Sequence, residues 1–166
     1  MKRMLLICLL MAACGRGAPE PTVAQEFNPP LYPGESQATR ALVNKWADHY
    51  DIPCSLLHRV IQRESDYRAG ARNGPYWGMM QILPETARGI GFQGANANLL
   101  DADTNLEWGT KYLRGAWLLS YGDEAAAVGW YARGYYYEAR NRCMLVATAL
   151  RDREVRKHCP NGSAGL

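Results

Sequence analysis

Apolar residues in this chain recur at helical spacing, in stretches that are separated by turn-forming residues. The clearest stretch covers about residues 37–50. Its apolar face consists of Leu42, Val43, Trp46, Ala47 and Tyr50. The sequence has no internal repeat and no alternating strand pattern longer than a few residues. Because amphipathic helices must bury their apolar faces against one another, we expect a mainly α fold.

Breaks and caps place the remaining elements. Pro53 suits the first turn of a second helix, which carries Leu56, Leu57, Val60, Ile61 and Glu64. Glycine, asparagine and proline cluster in residues 66–78, which predicts a loop or a short irregular hairpin, with a tiny β element near 72–78. The later predictions are a short helix after Pro84, a long one over about 103–121 capped by Asp103 or Thr104 and ended by Gly122, one from Asp123 through Tyr131, and a weaker helical tail from Tyr135 to about Lys157.

Length and charge limit the class of protein. A chain of 166 residues, 48% hydrophobic and 21% charged, suits one globular domain. No run of about 20 apolar residues is present, so no segment is expected to span a bilayer. The net charge of +3 becomes +1 without Lys2 and Arg3, which argues against nucleic acid as a partner. No His or Cys pair has metal-ligand spacing, and we expect neither a metal nor a cofactor.

The first residues have the layout of a secretory signal. Lys2 and Arg3 precede the apolar run Met4–Ala13, and Cys14 follows it. The segment "LLMAAC" resembles the lipobox of bacterial lipoproteins, in which the cysteine is lipidated. We therefore predict a signal peptide over 1–13, lipidation at Cys14 and, by resemblance, a place on the periplasmic face of the outer membrane. The alternative is an ordinary cleaved signal and a soluble periplasmic protein.

Residues 14–35 hold five of the nine prolines and predict a semi-extended tether, followed by a domain over 36–166. Three cysteines fall within that domain: Cys54, Cys143 and Cys159. An odd number permits one intramolecular disulfide at most, and an oxidising compartment would favour it. Cys143 and Cys159 are the nearest pair in sequence, but Cys54 can also pair with either of them.

Glu64 stands where the second helix should be apolar, on the same side as Leu57 and Ile61. A carboxylate is expensive to bury unless it is used. The segment "VIQRESDYRAGARNGPYWGMMQILPETARGIGF" resembles the catalytic segment of the soluble-type (SLT) lytic transglycosylases of glycoside hydrolase family 23. The matching blocks are Glu64-Ser65, Gly78-Met79-Met80-Gln81-Ile82, Asp101 with Asn105 and Gly109, and Trp130-Tyr131-Ala132-Arg133-Gly134.

This resemblance implies a goose-lysozyme-like (SLT-type) helical domain that acts on the glycan strands of peptidoglycan. Glu64 is then the single catalytic residue. It protonates the glycosidic oxygen between N-acetylmuramic acid and N-acetylglucosamine, and later deprotonates the muramyl C6 hydroxyl to form a 1,6-anhydro ring. A general acid of this kind needs a dry setting that raises its pKa, which Ile61, Met80 and Tyr131 are expected to provide.

The same resemblance assigns supporting roles in the substrate site. Gln81 is expected to line the cleft, Tyr131 to aim its hydroxyl at Glu64 or the intermediate, and Ser65 to orient the loop. Gly78 would let the backbone approach substrate, Met80 would pack against the catalytic helix, and Tyr135 would belong to a sugar-stacking wall.

Two departures from the family pattern keep other functions open. Trp130 and Arg133 stand where the family has Ala and Asn. Trp130 would reshape the cleft, and Arg133 would meet a carboxylate of the peptide stems. One alternative is a glycan-binding scaffold that has lost activity. Another is a goose-type lysozyme hydrolase, with Asp101 or Asp103 as its second carboxylate. A surface pair of Glu64 with Arg68 would remove any special role for Glu64.

Overall fold

The computed structural model describes residues 29–160 of the chain. Six α-helices, one 3₁₀ helix and a two-stranded antiparallel hairpin make up its regular structure within this range. In chain order they are α1 (Gln37–His49), α2 (Cys54–Glu64), β1 (Arg72–Asn73), β2 (Tyr76–Trp77), α3 (Pro84–Gly89), the 3₁₀ helix (Asn96–Leu100), α4 (Ala102–Leu119), α5 (Glu124–Arg133) and α6 (Tyr136–Asn141). The mainly α class is confirmed, and the tiny β element is present.

Side-chain caps determine where three helices begin. The Ser36 hydroxyl accepts from the Thr39 N–H at 3.1 Å, and the Asp123 carboxylate accepts from the Ala126 N–H at 3.0 Å, as the caps of α1 and α5. The predicted cap of the long helix was wrong. Asp101 caps α4 and accepts from the Thr104 N–H at 2.9 Å. Asp103 instead accepts from the Trp46 indole N–H at 2.7 Å, which ties α4 to α1.

Helix α4 lies at the centre of the domain and packs against α1, α3, α5 and the 3₁₀ helix. Its side chains Leu106, Leu113 and Leu119 are fully buried or nearly so. The face of α2 that bears Leu57 and Ile61 is also completely buried. Burial of each of these leucine and isoleucine side chains stabilises the fold by about 1.5–3 kcal/mol. The positions of α2 and α4 in the core are therefore well determined.

The predicted helical tail from Tyr135 to about Lys157 is mostly wrong. Helix α6 ends at Asn141, and turns follow it. Cys143 and Ala149 have φ values of 55° and 57°, a left-handed conformation that no α-helix contains. A disulfide between Cys143 and Cys159 closes this segment, while Cys54 is a free thiol.

Contacts with the domain begin before the predicted boundary at Ser36. The Glu35 carboxylate is completely buried and accepts from the Arg40 guanidinium at 2.6 Å. The Tyr32 ring packs 4.8 Å from the ring of His58, measured between centroids. The signal peptide, the lipidation site Cys14 and most of the tether lie outside the described residues and stay predictions.

No helix within residues 29–160 combines the length and the apolar character that crossing a membrane requires.

We expect the Cys143–Cys159 disulfide to stabilise the domain substantially. Its 16-residue separation corresponds to about 3 kcal/mol of reduced chain entropy in the unfolded state. Cys159→Ser should therefore lower the free energy of unfolding in urea by about that amount. Cys54→Ser is the matched control, since this thiol is unpaired and half-buried. Equal losses for the two variants would contradict this role of the bond.

Candidate active site

Glu64 is the last residue of α2, directly after the buried face formed by Leu57, Val60 and Ile61. Its side chain is 22% exposed, so the carboxyl group sits at the boundary between core and solvent. The nearest cation is Arg63, whose Nε lies 3.7 Å from a Glu64 oxygen. Arg68 instead donates its Nε–H to the Ser65 carbonyl at 2.8 Å, so the surface pair of Glu64 with Arg68 is not formed.

Burial determines the protonation behaviour of this carboxyl group. Loss of water around Glu64 raises its pKa, and the positive charge of Arg63 offsets only part of that rise. A glutamate with a raised pKa keeps its proton to higher pH than an exposed one. Glu64 is therefore suited to give a proton to a bound molecule.

A cavity of about 290 Å³ opens in front of Glu64, and we call it the Glu64 cavity. Its other lining residues are Arg63, Asn73, Tyr76, Gln81, Tyr131 and Ala132. A second cavity of about 220 Å³, the middle cavity, shares Tyr76, Gln81, Tyr131 and Ala132 with it. Because they share these four residues, the two cavities lie side by side, and we call them together the cleft.

Gln81 lines both parts of the cleft, as the sequence predicts. Its side-chain amide donates to the Gly78 carbonyl at 2.7 Å and to the Ala71 carbonyl at 3.2 Å. Its φ of 49° is left-handed, which is costly for a residue other than glycine. Such backbone strain is often found at functional sites, where the surrounding structure enforces it. The two hydrogen bonds hold the side chain against the cleft wall.

Tyr131 also lines both cavities, but its hydroxyl points differently from the prediction. The hydroxyl donates to the Met80 carbonyl at 2.8 Å and not to Glu64. Burial raises the pKa of Tyr131 well above its ordinary value, and the negative charge of Glu64 raises it further. The phenol therefore stays protonated, anchors the turn at Met80 and presents its ring to the cleft.

Three predicted substrate-site residues lie behind the cleft wall. Ser65 is buried and donates its hydroxyl to the Met79 carbonyl at 2.6 Å, which joins the end of α2 to the turn at residues 78–81. Met80 is completely buried and accepts from the Thr110 hydroxyl on α4. Tyr135 is buried, donates its hydroxyl to the Tyr112 carbonyl at 2.7 Å and stacks on the Tyr112 ring. These side chains position the site and do not contact substrate in this arrangement.

Gly78 was predicted to let the backbone approach substrate, but it lets the backbone approach other parts of the protein. Its φ is 73°, and a Cβ there would overlap the Asn105 amide and the Leu99 carbonyl. The backbone at Gly78 is therefore close to protein atoms of α4 and the 3₁₀ helix, not to the open cleft. The absence of a side chain lets this turn dock against α4.

Two residues without a predicted role prove central. Asn105 is fully buried; its amide oxygen accepts from the Met80 N–H at 2.7 Å, and its amide nitrogen donates to the Trp77 and Leu99 carbonyls. Tyr76 is 44% exposed at the hairpin and lines both cavities. An aromatic side chain directly after Gly74-Pro75 was the available signal for Tyr76, and a lone amide among apolar positions was the signal for Asn105.

The sequence suggested Asp101 or Asp103 as a second catalytic carboxylate and Trp130 as a residue of the cleft. Asp101 caps α4 and Asp103 binds Lys45 and Trp46, so neither is a lining residue of the cleft. Among the described residues that line the two cavities, Glu64 is the one carboxylate. Trp130 is also absent from the lining residues, although its neighbours Tyr131 and Ala132 on α5 line both cavities.

We expect two glycine variants of the hairpin region to differ sharply. Gly74→Ala places a methyl group in open space, at a φ of 56° that should cost about 1–2 kcal/mol. Gly78→Ala carries the same backbone cost and also overlaps Asn105 and Leu99. Urea unfolding should therefore show a clearly larger loss for Gly78→Ala. Equal losses would contradict the close docking of this turn against α4.

Comparison with known proteins agrees with this geometry. The family model described as the transglycosylase SLT domain matches residues 41–142, which is more than half of the chain and includes Glu64, Gln81, Asn105 and Tyr131. No solved structure was found to match the chain. The chain belongs to the SLT transglycosylase family, a lysozyme-like family of domains that act on peptidoglycan.

Proposed function

We propose that this protein is a peptidoglycan lytic transglycosylase that cleaves the β-1,4 bond between N-acetylmuramic acid and N-acetylglucosamine. The observation that carries the proposal is Glu64 itself. A half-buried glutamate with a raised pKa faces a cleft in which, among the described residues, no second carboxylate is found. A glycosidase of the two-carboxylate kind would need a partner for Glu64 about 5–10 Å away. Family membership supports the substrate class.

The proposed reaction uses Glu64 twice. The protonated carboxyl group gives its proton to the glycosidic oxygen as the bond from C1 of the muramyl sugar breaks. The sugar's own acetamide stabilises the positive charge left at C1. The Glu64 carboxylate then takes the proton of the C6 hydroxyl while O6 bonds to C1. The product is a 1,6-anhydro ring, and Glu64 ends protonated as it began.

The cleft residues support this reaction through binding and orientation. The exposed ring of Tyr76 offers a face on which a sugar can stack. Gln81 is held beside Glu64 and supplies a polar edge for sugar hydroxyl groups. The reaction requires no metal or cofactor, because one carboxyl group and the substrate's acetamide supply its chemistry. We further propose attachment to the cell envelope through Cys14, which rests on the sequence alone.

A digest of purified sacculi tests the proposal. A protein that comprises residues 29–166 should release muropeptides that end in anhydromuramic acid. In mass spectrometry these products are lighter by one water than the products of hydrolysis. Glu64→Gln should lower the rate by about 10³-fold or more, since general acid and base catalysis are both lost. Glu107→Gln is the matched control on α4, because Glu107 is not among the lining residues of the cleft.

Other products would favour the other functions. Muropeptides that end in a reducing sugar would show that water is the acceptor and that the protein is a hydrolase. Sacculi that are bound but not cleaved, equally by wild type and Glu64→Gln, would show a binding scaffold. Either result would overturn the transglycosylase.

A further inference from the structure

A third cavity lies beside the middle cavity. This cavity, of about 230 Å³, shares Thr86 and Tyr112 with the middle cavity, and we call it the Arg151 cavity. Leu150 and Arg151 form part of its wall. We call these three neighbouring cavities the groove. Their lining residues extend from Glu64 past Tyr112 to the segment that follows α6.

The described residues that line the middle cavity and the Arg151 cavity include two arginines and no carboxylate. Arg133 is the one charged residue that lines the middle cavity, and Arg151 is the one that lines the Arg151 cavity, among the residues that the structure describes. Neither guanidinium has a carboxylate within 4 Å in the described part of the chain. Two unneutralised cations on one wall favour a ligand with negative charge.

Aromatic rings hold both guanidinium groups. The Arg133 guanidinium carbon lies 3.7 Å from the centroid of the Trp130 ring, and that of Arg151 lies 5.6 Å from the centroid of Tyr136. A guanidinium that contacts a ring through its face keeps its N–H edges available for a carboxylate. The two residues of α5 that depart from the family pattern, Trp130 and Arg133, therefore act together, since the Trp130 ring supports the Arg133 guanidinium.

Arg151 belongs to a part of the chain that the family match does not include, since that match ends at residue 142. The Cys143–Cys159 disulfide closes this part. The Leu150 and Arg151 N–H groups both donate to the Leu145 carbonyl, at 3.0 and 3.2 Å, and Leu145 is completely buried. The backbone at Arg151 is thus held by the disulfide-closed segment and by the core, and its side chain is exposed at the groove.

N-acetylglucosamine carries no charge, and the lactyl carboxylate of N-acetylmuramic acid is used in the amide bond to the peptide. The glycan backbone of a peptide-bearing strand therefore does not explain these arginines. The peptides attached to muramic acid do carry carboxylates. We propose that Arg133 and Arg151 bind the carboxylates of these peptides and so select glycan strands that retain them. This inference rests on the proposed function for the identity of the glycan, and it concerns binding and not the chemical step.

Binding can be measured in a Glu64→Gln background, where cleavage does not interfere. Titration calorimetry would compare peptide-bearing glycan strands with the same strands after their peptide carboxylates have been converted to methylamides. Removal of the peptides by an amidase would not serve, because it frees a lactyl carboxylate on each muramyl sugar. We expect about tenfold tighter binding of the strands with free carboxylates, because methylamides cannot form the charge-assisted hydrogen bonds with the arginines. Replacing both arginines, Arg133→Gln with Arg151→Gln, should bring this ratio close to one, and salt should also narrow it.

Arg153→Gln is the matched control, because Arg153 is exposed in the same segment but lines none of the three cavities. It should keep the tenfold ratio. An unchanged ratio in the double arginine variant, or equal binding of both kinds of strand by the parent, would overturn the inference. Failure of the wild-type chain to cleave sacculi would overturn the proposed function separately, since the binding ratio does not require turnover.

Discussion

The buried amide of Asn105 joins three parts of the domain on which the site depends. From the first turns of α4 it binds the Met80 N–H, the Trp77 carbonyl and the Leu99 carbonyl. Buried amides of this kind stabilise a fold only when their hydrogen bonds are made, and Asn105 makes three. The hairpin and the turn that carries Gln81 therefore have one position relative to α4. Loss of this side chain would leave the buried Met80 N–H without its partner, at a cost of about 1–3 kcal/mol.

The same turn gives Glu64 its surroundings. Ser65 binds the Met79 carbonyl and Tyr131 binds the Met80 carbonyl, so α2 and α5 both attach to this turn. The left-handed backbone at Gln81 is held by these contacts and by the docking of Gly78. Glu64 becomes half-buried as a consequence of packing around it, and the rise in its pKa follows from that burial. A costly position for a carboxyl group is thus maintained by the rest of the core.

The sequence predicted most of the helices, and it singled out Glu64 as a candidate, because local periodicity bears on both. An apolar face such as the one that includes Val43 and Trp46 indicates which side of a helix is buried. A glutamate on such a face is therefore easily noticed. Side-chain direction was harder to predict. Ser65 and Met80 were expected to orient the loop and to pack against the catalytic helix, and both are buried. Tyr135 was expected in a sugar-stacking wall, yet it also faces the core. A sequence motif does not distinguish a residue that contacts substrate from one that positions its neighbour.

Long-range contacts explain the remaining errors. Asp103 was predicted as a cap, but its attraction to Trp46 and Lys45 on α1 can be seen only when α1 and α4 are packed together. The tail after α6 has helical periodicity, but its left-handed residues and the Cys143–Cys159 disulfide give it a turn-rich path. That path carries Arg151 to the groove, which no pattern in the tail itself would indicate.

The account depends on the environment of Glu64, and a titration of its carboxyl carbon by nuclear magnetic resonance measures that environment directly. Uniformly labelled protein would be titrated with pH, and the Glu64→Gln variant would identify the resonance. We predict a midpoint above 4.5, the ordinary glutamate value, because burial outweighs the charge of Arg63. A midpoint at or below that value would show a solvated or ion-paired carboxylate and would contradict Glu64 as the general acid of this cleft.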